Sequence, residues 1–186
     1  NCSIDHNTFR GLFGPNVVVH GNDHKVEDNL FENMQSFDFV RFFGSRNSVR
    51  RNVVRSSPNI IYYSSTELGQ IPHPEGGNFF DHMISVFYGH GDLEDRNNNA
   101  FEGNFLENCY HQMGFIQHSA KAYGLSIKNN VFIGFPLHMS NSLSGSTYEN
   151  NTFYKAPYES GHAMALGPRN ASSPPMTDLV IKKNAF

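Results

Sequence analysis

Apolar and polar positions recur along this chain in one short phrase. An apolar residue is followed by two mostly polar ones, then an asparagine, one variable residue and a second apolar side chain. The phrase is plainest at Ile127-Lys128-Asn129-Asn130-Val131-Phe132 and at Tyr148-Glu149-Asn150-Asn151-Thr152-Phe153, 21 positions apart. Its asparagines are Asn7, Asn29, Asn52, Asn104, Asn130, Asn151 and Asn184, at spacings of 22, 23, 52, 26, 21 and 33. Three residues before them stand Ile4, Val26, Val49, Phe101, Ile127, Tyr148 and Ile181. The 52-residue interval is read as two turns, one with its phrase degraded.

Repeat periods of about 20 to 50 residues mark solenoids. Helical repeats are disfavoured because β-branched and aromatic residues dominate the phrase, and a leucine lattice is missing. The expectation is a coil of short parallel strands stacked about 4.8 Å apart, burying the same position turn after turn. An asparagine suits such a column, since its amide both donates and accepts and can satisfy turn backbone and its neighbours above and below.

Before each phrase lies a second strand: Val17–His20, Val40–Phe43, Ser85–Tyr88, Phe115–His118, Leu137–Ser140 and Ala163–Leu166. Alternation splits each into two faces. One, with Val17/Val19, Val40/Phe42, Ser85/Phe87, Phe115/Gln117, Leu137/Met139 and Ala163/Ala165, is read as core. The other, with Val18/His20, Arg41/Phe43, Val86/Tyr88, Ile116/His118, His138/Ser140 and Met164/Leu166, is read as facing out.

The stretches VHGNDHKVEDNLFEN, NAFEGNFLENCYHQMGFI and LSIKNNVFIGF resemble right-handed parallel β-helix proteins of the pectate lyase, chondroitinase B and alginate lyase, and mannuronan epimerase group. That resemblance covers nearly the whole chain. It implies an all-β, single-stranded, right-handed parallel β-helix of about seven to eight turns, forming one domain over residues 1–186. The chain opens in mid-turn and stops on the phrase itself, whereas a solenoid needs polar caps. A segment of a longer protein is therefore expected, with flanking segments of that chain among its partners.

Composition narrows the function classes. With 14 basic and 17 acidic side chains the formal charge is −3, and the only basic doublets are Arg50-Arg51 and Lys182-Lys183, so nucleic acid is not expected as a partner. No apolar run approaches the roughly 18 residues of a membrane span, and no signal-like h-region opens the chain. The 22 asparagines, 17 phenylalanines and absent tryptophan favour turns and ladders over helices. Cys2 and Cys109 fall on distant turns and are not expected to bridge. Sequons begin at Asn1, Asn150 and Asn170, glycan acceptors if a eukaryotic cell secretes the protein.

Long excursions at about 59–82 and 89–99 are where binding residues are expected. Around them stand His73, Asp81, His82, His111, Gln112 and His118, and on the outward strand face His20, Arg41, Tyr88 and His138. Such a ladder would form a shallow groove for an extended sugar polymer, a cation neutralising a uronate while an acid and a base move protons. On the resemblance, Arg41 would neutralise, His118 or His82 would be the base and Tyr88 the acid, with Asp81 beside them. His20, His111, Gln112 and His138 would hold substrate. Glycoside hydrolysis would need two carboxyls, for which Asp38 and Asp81 are placed, and ranks below elimination.

No metal is required by any spacing. Asp92, Glu94 and Asp95 offer oxygen ligands to Ca²⁺ without a regular calcium loop. His20 and His24 do not share a face as they would on a helix, which weighs against zinc. The expected function is thus an extracellular or cell-surface polysaccharide lyase or epimerase. The alternative is a structural or adhesive β-helix module without catalysis.

Overall fold

The computed structural model describes residues 1–11, 17–34, 40–56, 96–107, 113–114, 122–133, 137–140, 143–154, 164–167 and 177–186, and the folded elements among them are all β-strands. The longest sheet has seven parallel strands stacked in chain order: β1 Ser3–Asp5, β4 Lys25–Glu27, β7 Ser48–Arg50, β10 Ala100–Glu102, β14 Ser126–Lys128, β18 Thr147–Glu149 and β21 Val180–Lys182. A second sheet stacks β2 Thr8–Arg10, β5 Leu30–Met34, β8 Val53–Ser56, β11 Phe105–Glu107, β15 Val131–Ile133 and β19 Thr152–Tyr154. Shorter parallel ladders join β3 Val17–His20 to β6 Val40–Phe43, and β12 Met113–Gly114 to β16 Leu137–Ser140 and β20 Met164–Gly167. Three two-residue strands, β9 Arg96–Asn97, β13 Ala122–Tyr123 and β17 Leu143–Ser144, form the last. The chain is a parallel β-solenoid, each rung lying on the one before.

The phrase is the corner between the two long sheets. Its residue before the asparagine is left-handed in every rung: His6, Asp28, Arg51, Gly103, Asn129, Asn150 and Lys183 have φ between 52° and 67°. That conformation turns the chain sharply, and glycine, asparagine and aspartate adopt it most readily. The asparagine then locks the corner. Each backbone N–H of Asn7, Asn29, Asn52, Asn104, Asn130 and Asn151 donates to Oδ1 of the next ladder asparagine at 2.9–3.0 Å. Each Nδ2 from Asn29 onward reaches the carbonyl three residues before the previous ladder asparagine, from Asn29 to Ile4 at 2.8 Å through to Asn184 to Tyr148 at 3.0 Å. Asn29, Asn52, Asn104, Asn130 and Asn151 are buried.

A second corner precedes the first in each rung, with positive φ at Asp23, Arg46, Asn98, Gly124, Gly145 and Asp178. It carries a shorter polar ladder. Asn47 Oδ1 accepts from the His24 N–H at 2.9 Å, Asn99 Oδ1 from the Asn47 N–H at 2.8 Å, and Ser146 Oγ from the Leu125 N–H at 3.1 Å. Gly44 is dictated by packing here, because a Cβ would overlap the Gly21 carbonyl oxygen.

Inside the corners the two long sheets supply the core. Val26, Val49, Phe101, Ile127 and Tyr148 face Phe31, Val54, Leu106, Phe132 and Phe153, all buried. Rings at equivalent positions stack, Phe9 on Phe31 at 4.7 Å and Phe132 on Phe153 at 4.9 Å between centroids. Burial pushes the Tyr148 phenol pKa up, and its hydroxyl has no hydrogen-bond partner among the described residues.

Two expectations are corrected. Residues 48–50 pair directly with 100–102, and Asn52 bonds directly to Asn104, so the 52-residue interval is one rung with an insertion rather than two turns. The number of turns is accordingly lower than seven to eight. The outward reading of Met164 also fails: it is the register partner of Leu137 and packs against the core. The register pairs Ala165 with His138, so the strand is shifted by one residue against the alternation read from sequence. In the neighbouring rung the described strand is Met113–Gly114, paired with Leu137 and His138, and the strand expected at 115–118 lies outside the described residues.

Replacing Asn130 with Ala should cost about 1–3 kcal/mol, since it strands buried main-chain partners. Asn7→Ala, at an exposed end of the ladder, should cost clearly less. Phe132→Ala should cost about 3–5 kcal/mol. Denaturant melts of the three variants check the order, and equal losses at Asn130 and Asn7 would contradict a cooperative buried ladder.

Candidate functional site

The distance between the two corners of a rung is fixed. His24 to Asn29, Asn47 to Asn52, Asn99 to Asn104, Leu125 to Asn130, Ser146 to Asn151 and Leu179 to Asn184 are each five residues. All variation in rung length therefore falls on the arc from the end of the second sheet to the next corner. His20, Arg41, Asp81, His82, Tyr88, His111, Gln112, His118 and His138 all lie on that arc.

Of these, His20 is described in full, at the exposed end of β3. Strands β3 and β6 pair with Val18 opposite Arg41 and His20 opposite Phe43. Val17 is buried and Val18 is 46% exposed, so the Val18 and His20 positions form the outward face. Arg41 sits at the register position beside Val18. His138 pairs in register with Gly114 and Ala165. Asp38, His73, Asp81, His82, Tyr88, Asp92, Glu94, Asp95, Cys109, His111, Gln112 and His118 lie outside the described residues, as does Asn170.

His24 serves the backbone. Its Nε2 lies 3.1 Å from the His20 carbonyl, and a carbonyl only accepts, so this nitrogen carries the proton and does not offer a lone pair to a metal. Among the described residues no three His, Cys, Asp or Glu side chains gather as a metal site. Asn1 and Asn150 are exposed, and Asn150 Nδ2 donates to Asn129 Oδ1 at 2.7 Å. Cys2 is an exposed free thiol. No helix among the described residues is long and apolar enough to cross a membrane.

The outer face of the longest sheet neutralises itself. Glu27, Arg50, Glu102, Lys128, Glu149 and Lys182 are successive register partners. Arg50 lies 3.2 Å from Glu102 and Lys182 lies 3.2 Å from Glu149. On the second sheet Arg10 meets Glu32 at 2.7 Å and Arg55 meets Glu107 at 3.2 Å.

At the corners two arginines in left-handed conformation make bidentate pairs with the aspartate of the rung below. Arg46 donates from Nε and Nη2 to Asp23, both at 2.7 Å, and Arg51 donates to Asp28 at 2.8 and 2.7 Å. These hydrogen bonds hold both aspartate carboxyls below the usual carboxylate range and raise the arginines.

Two tyrosines not singled out from sequence are prominent, Tyr123 at 54% and Tyr154 at 56% exposure. The Tyr123 ring lies across Gly145, where any side chain would collide with it. Gly145 in the corner position is the one signal that could have marked it. No family model and no curated protein matches the chain.

Because Asp23 and Asp28 titrate lower folded than unfolded, their contribution is present above the ordinary value of 3.8 and is lost as pH falls below it. Melting temperature should therefore drop between pH 5 and pH 3 by a margin that shrinks in an Arg46→Ala, Arg51→Ala double variant; an unchanged margin would show that these pairs do not supply it.

Proposed function

We propose that the protein binds an extended, acidic sugar polymer along the outward face of the variable arc, and acts on it as a polysaccharide lyase or epimerase. The observation that carries this reading is a contrast between faces. The outer columns of the two long sheets set most of their cations beside a carboxylate on the next rung. In β3 and β6 the register positions in line with the exposed Val18 and His20 are those of Arg41 and Phe43, a different set of residue types from the alternating charges of the long sheets. A face with a guanidinium, an imidazole and apolar groups suits a uronate polymer, whose carboxylates seek cations and whose ring faces seek apolar surface.

Elimination or epimerisation beside a carboxylate begins when a base removes the proton from the adjacent carbon, and a cation held at the carboxylate stabilises the charge that develops. Arg41 supplies the cation in this reading. The base, His118 or His82, and the acid, Tyr88, come from the resemblance to β-helix lyases, and their positions on the variable arc are compatible with those roles.

A second reading, a structural or adhesive module, is favoured by the self-paired charges of the longest sheet. That pattern stiffens a surface without leaving charge for a ligand.

The two are separated by presenting uronic-acid and neutral polysaccharides and reading binding, unsaturated ends by ultraviolet absorbance, and reducing ends. Unsaturated products from a uronate polymer are expected. Arg41→Ala and His20→Ala should weaken binding by about tenfold or more, the loss of roughly one charge-assisted hydrogen bond, without moving the melting temperature. Binding without products would leave a glycan-binding module, and silence in every channel would favour the structural reading.

A further inference from the structure

The outer face of the second long sheet differs in kind from that of the longest one. In β5, β8, β11 and β15 the residues that alternate with buried Phe31, Val54, Leu106 and Phe132 point outward. The first outward position of each strand is apolar: Leu30, Val53, Phe105 and Val131 stand in register on consecutive rungs and are only half-buried. Strands β2 and β19 continue the sheet on either side, so this stripe lies in the middle of the stack. The matching outward column of the longest sheet holds Ser48, Ala100, Ser126 and Thr147. Parallel stacking therefore does not itself demand an apolar outer column.

We infer that the stripe is the contact surface between two copies of the chain, packed face to face about a two-fold axis that runs along the strands. Such an axis lays each outer column on its own counterpart and reverses the order of the rungs. Centred between Val53 and Phe105, it sets Val53 on Phe105 of the second copy and Leu30 on Val131 of the second copy, which covers the whole stripe. An axis along the stack would instead lay the apolar column on the charged one beside it.

The second outward column supplies the charge complementarity. Through the same rungs it reads Glu32, Arg55, Glu107 and Ile133. Under the same axis Arg55 meets Glu107 of the second copy, and Glu107 meets its Arg55, while each copy already holds its own Arg55 and Glu107 at 3.2 Å. Reversed rungs bring opposite charges together, whereas equal rungs would set Arg55 on Arg55. Glu32, which faces Ile133 in this arrangement, keeps Arg10 of its own chain at 2.7 Å. The Arg55 guanidinium also lies over the Phe105 ring, 5.9 Å from its centroid, so the centre of the contact is arranged before the copies meet. An arginine and an aromatic ring among aliphatic side chains is the composition of an interface core. Each patch meets its own copy, so the contact is isologous and closes at a dimer.

The test is sedimentation velocity of the chain in reducing buffer, which removes crosslinking through Cys2. Concentration should span about a hundredfold and reach about 1 mM, because a contact two columns wide gives a weak dimer. A monomer–dimer equilibrium that goes no further is expected. Arg55→Glu and Glu107→Arg each set like charges together across the axis, and each should weaken the dimer about tenfold or more. Mixed in equal amounts they should dimerise again, two carboxylates of one copy facing two guanidiniums of the other, although the pair within each chain stays like-charged. A role confined to one chain cannot be rescued by mixing. Val53→Asp leaves both charges in place and should also be monomeric, with melting curves confirming that the variants fold. A wild-type chain that stays monomeric throughout, growth beyond the dimer, dimers that survive Arg55→Glu and Val53→Asp, or no recovery on mixing would overturn the inference.

Discussion

Everything in this molecule is arranged around buried side-chain amides. A solenoid corner exposes backbone donors and acceptors to a dry interior, where an unpaired group costs about 1–3 kcal/mol. Water does not reach the Asn52, Asn104 and Asn130 positions, which are 0–1% exposed. The amide solves the problem because its Oδ1 accepts from the rung before while its Nδ2 donates back to a carbonyl of that rung and on to Oδ1 of the next, so one residue type satisfies groups in two rungs. That requires the strands to be parallel and in register. A shift of one residue would put the amide outside and an apolar side chain against the carbonyl it should meet.

The same constraint accounts for the chemistry of the corners. Left-handed conformation costs an ordinary side chain roughly 1–2 kcal/mol, which glycine avoids and asparagine or aspartate reduces. Arg46 and Arg51 are unfavourable choices by that measure. Each finds an aspartate in the equivalent position one rung earlier, so stacking turns a conformational liability into a bidentate contact. Only a parallel repeat brings like positions of consecutive rungs into contact, and the alternating charges of the longest sheet exploit it in the same way.

These features divide what the sequence reveals from what it hides. The phrase ending in Phe132 or Phe153 is legible because one residue there carries both a backbone rule and a packing rule. The second corner is harder to read: only Asn47 and Asn99 carry a ladder asparagine there, and Leu125 and Leu179 fill the same position with apolar groups. A five-residue offset from Asn52 and Asn104 was the available signal. Met164 was assigned to the wrong face because the strand it opens has apolar residues on both parities, so alternation does not decide its register. The 52-residue interval misleads for a related reason: a repeat that skips a beat looks the same whether a rung is degraded or merely enlarged. As to the candidate site, sequence locates its residues on an arc and gives Val18 and His20 their outward face. It does not bring separate excursions together, because nothing in their local pattern fixes a contact.

The unequal tolerance of the two parts of a rung has an energetic reason. Between the corners, a five-residue span carries two turns and the start of the buried ladder, and an insertion there would break hydrogen bonds in three rungs at once. Across the remaining arc the cost of extra chain is chiefly loop closure, which rises by only about 0.6 kcal/mol per doubling of length. Residues 57–95 exploit this difference: the ladder closes from Asn52 to Asn104 with the same 2.9 Å bond it makes from Asn104 to Asn130. A scaffold with one rigid side and one permissive side confines chemical diversity to the permissive side. For that reason the histidines, the tyrosine and the aspartate proposed to act on a polymer belong on the arc, and the long sheets are free to be occupied by paired charge.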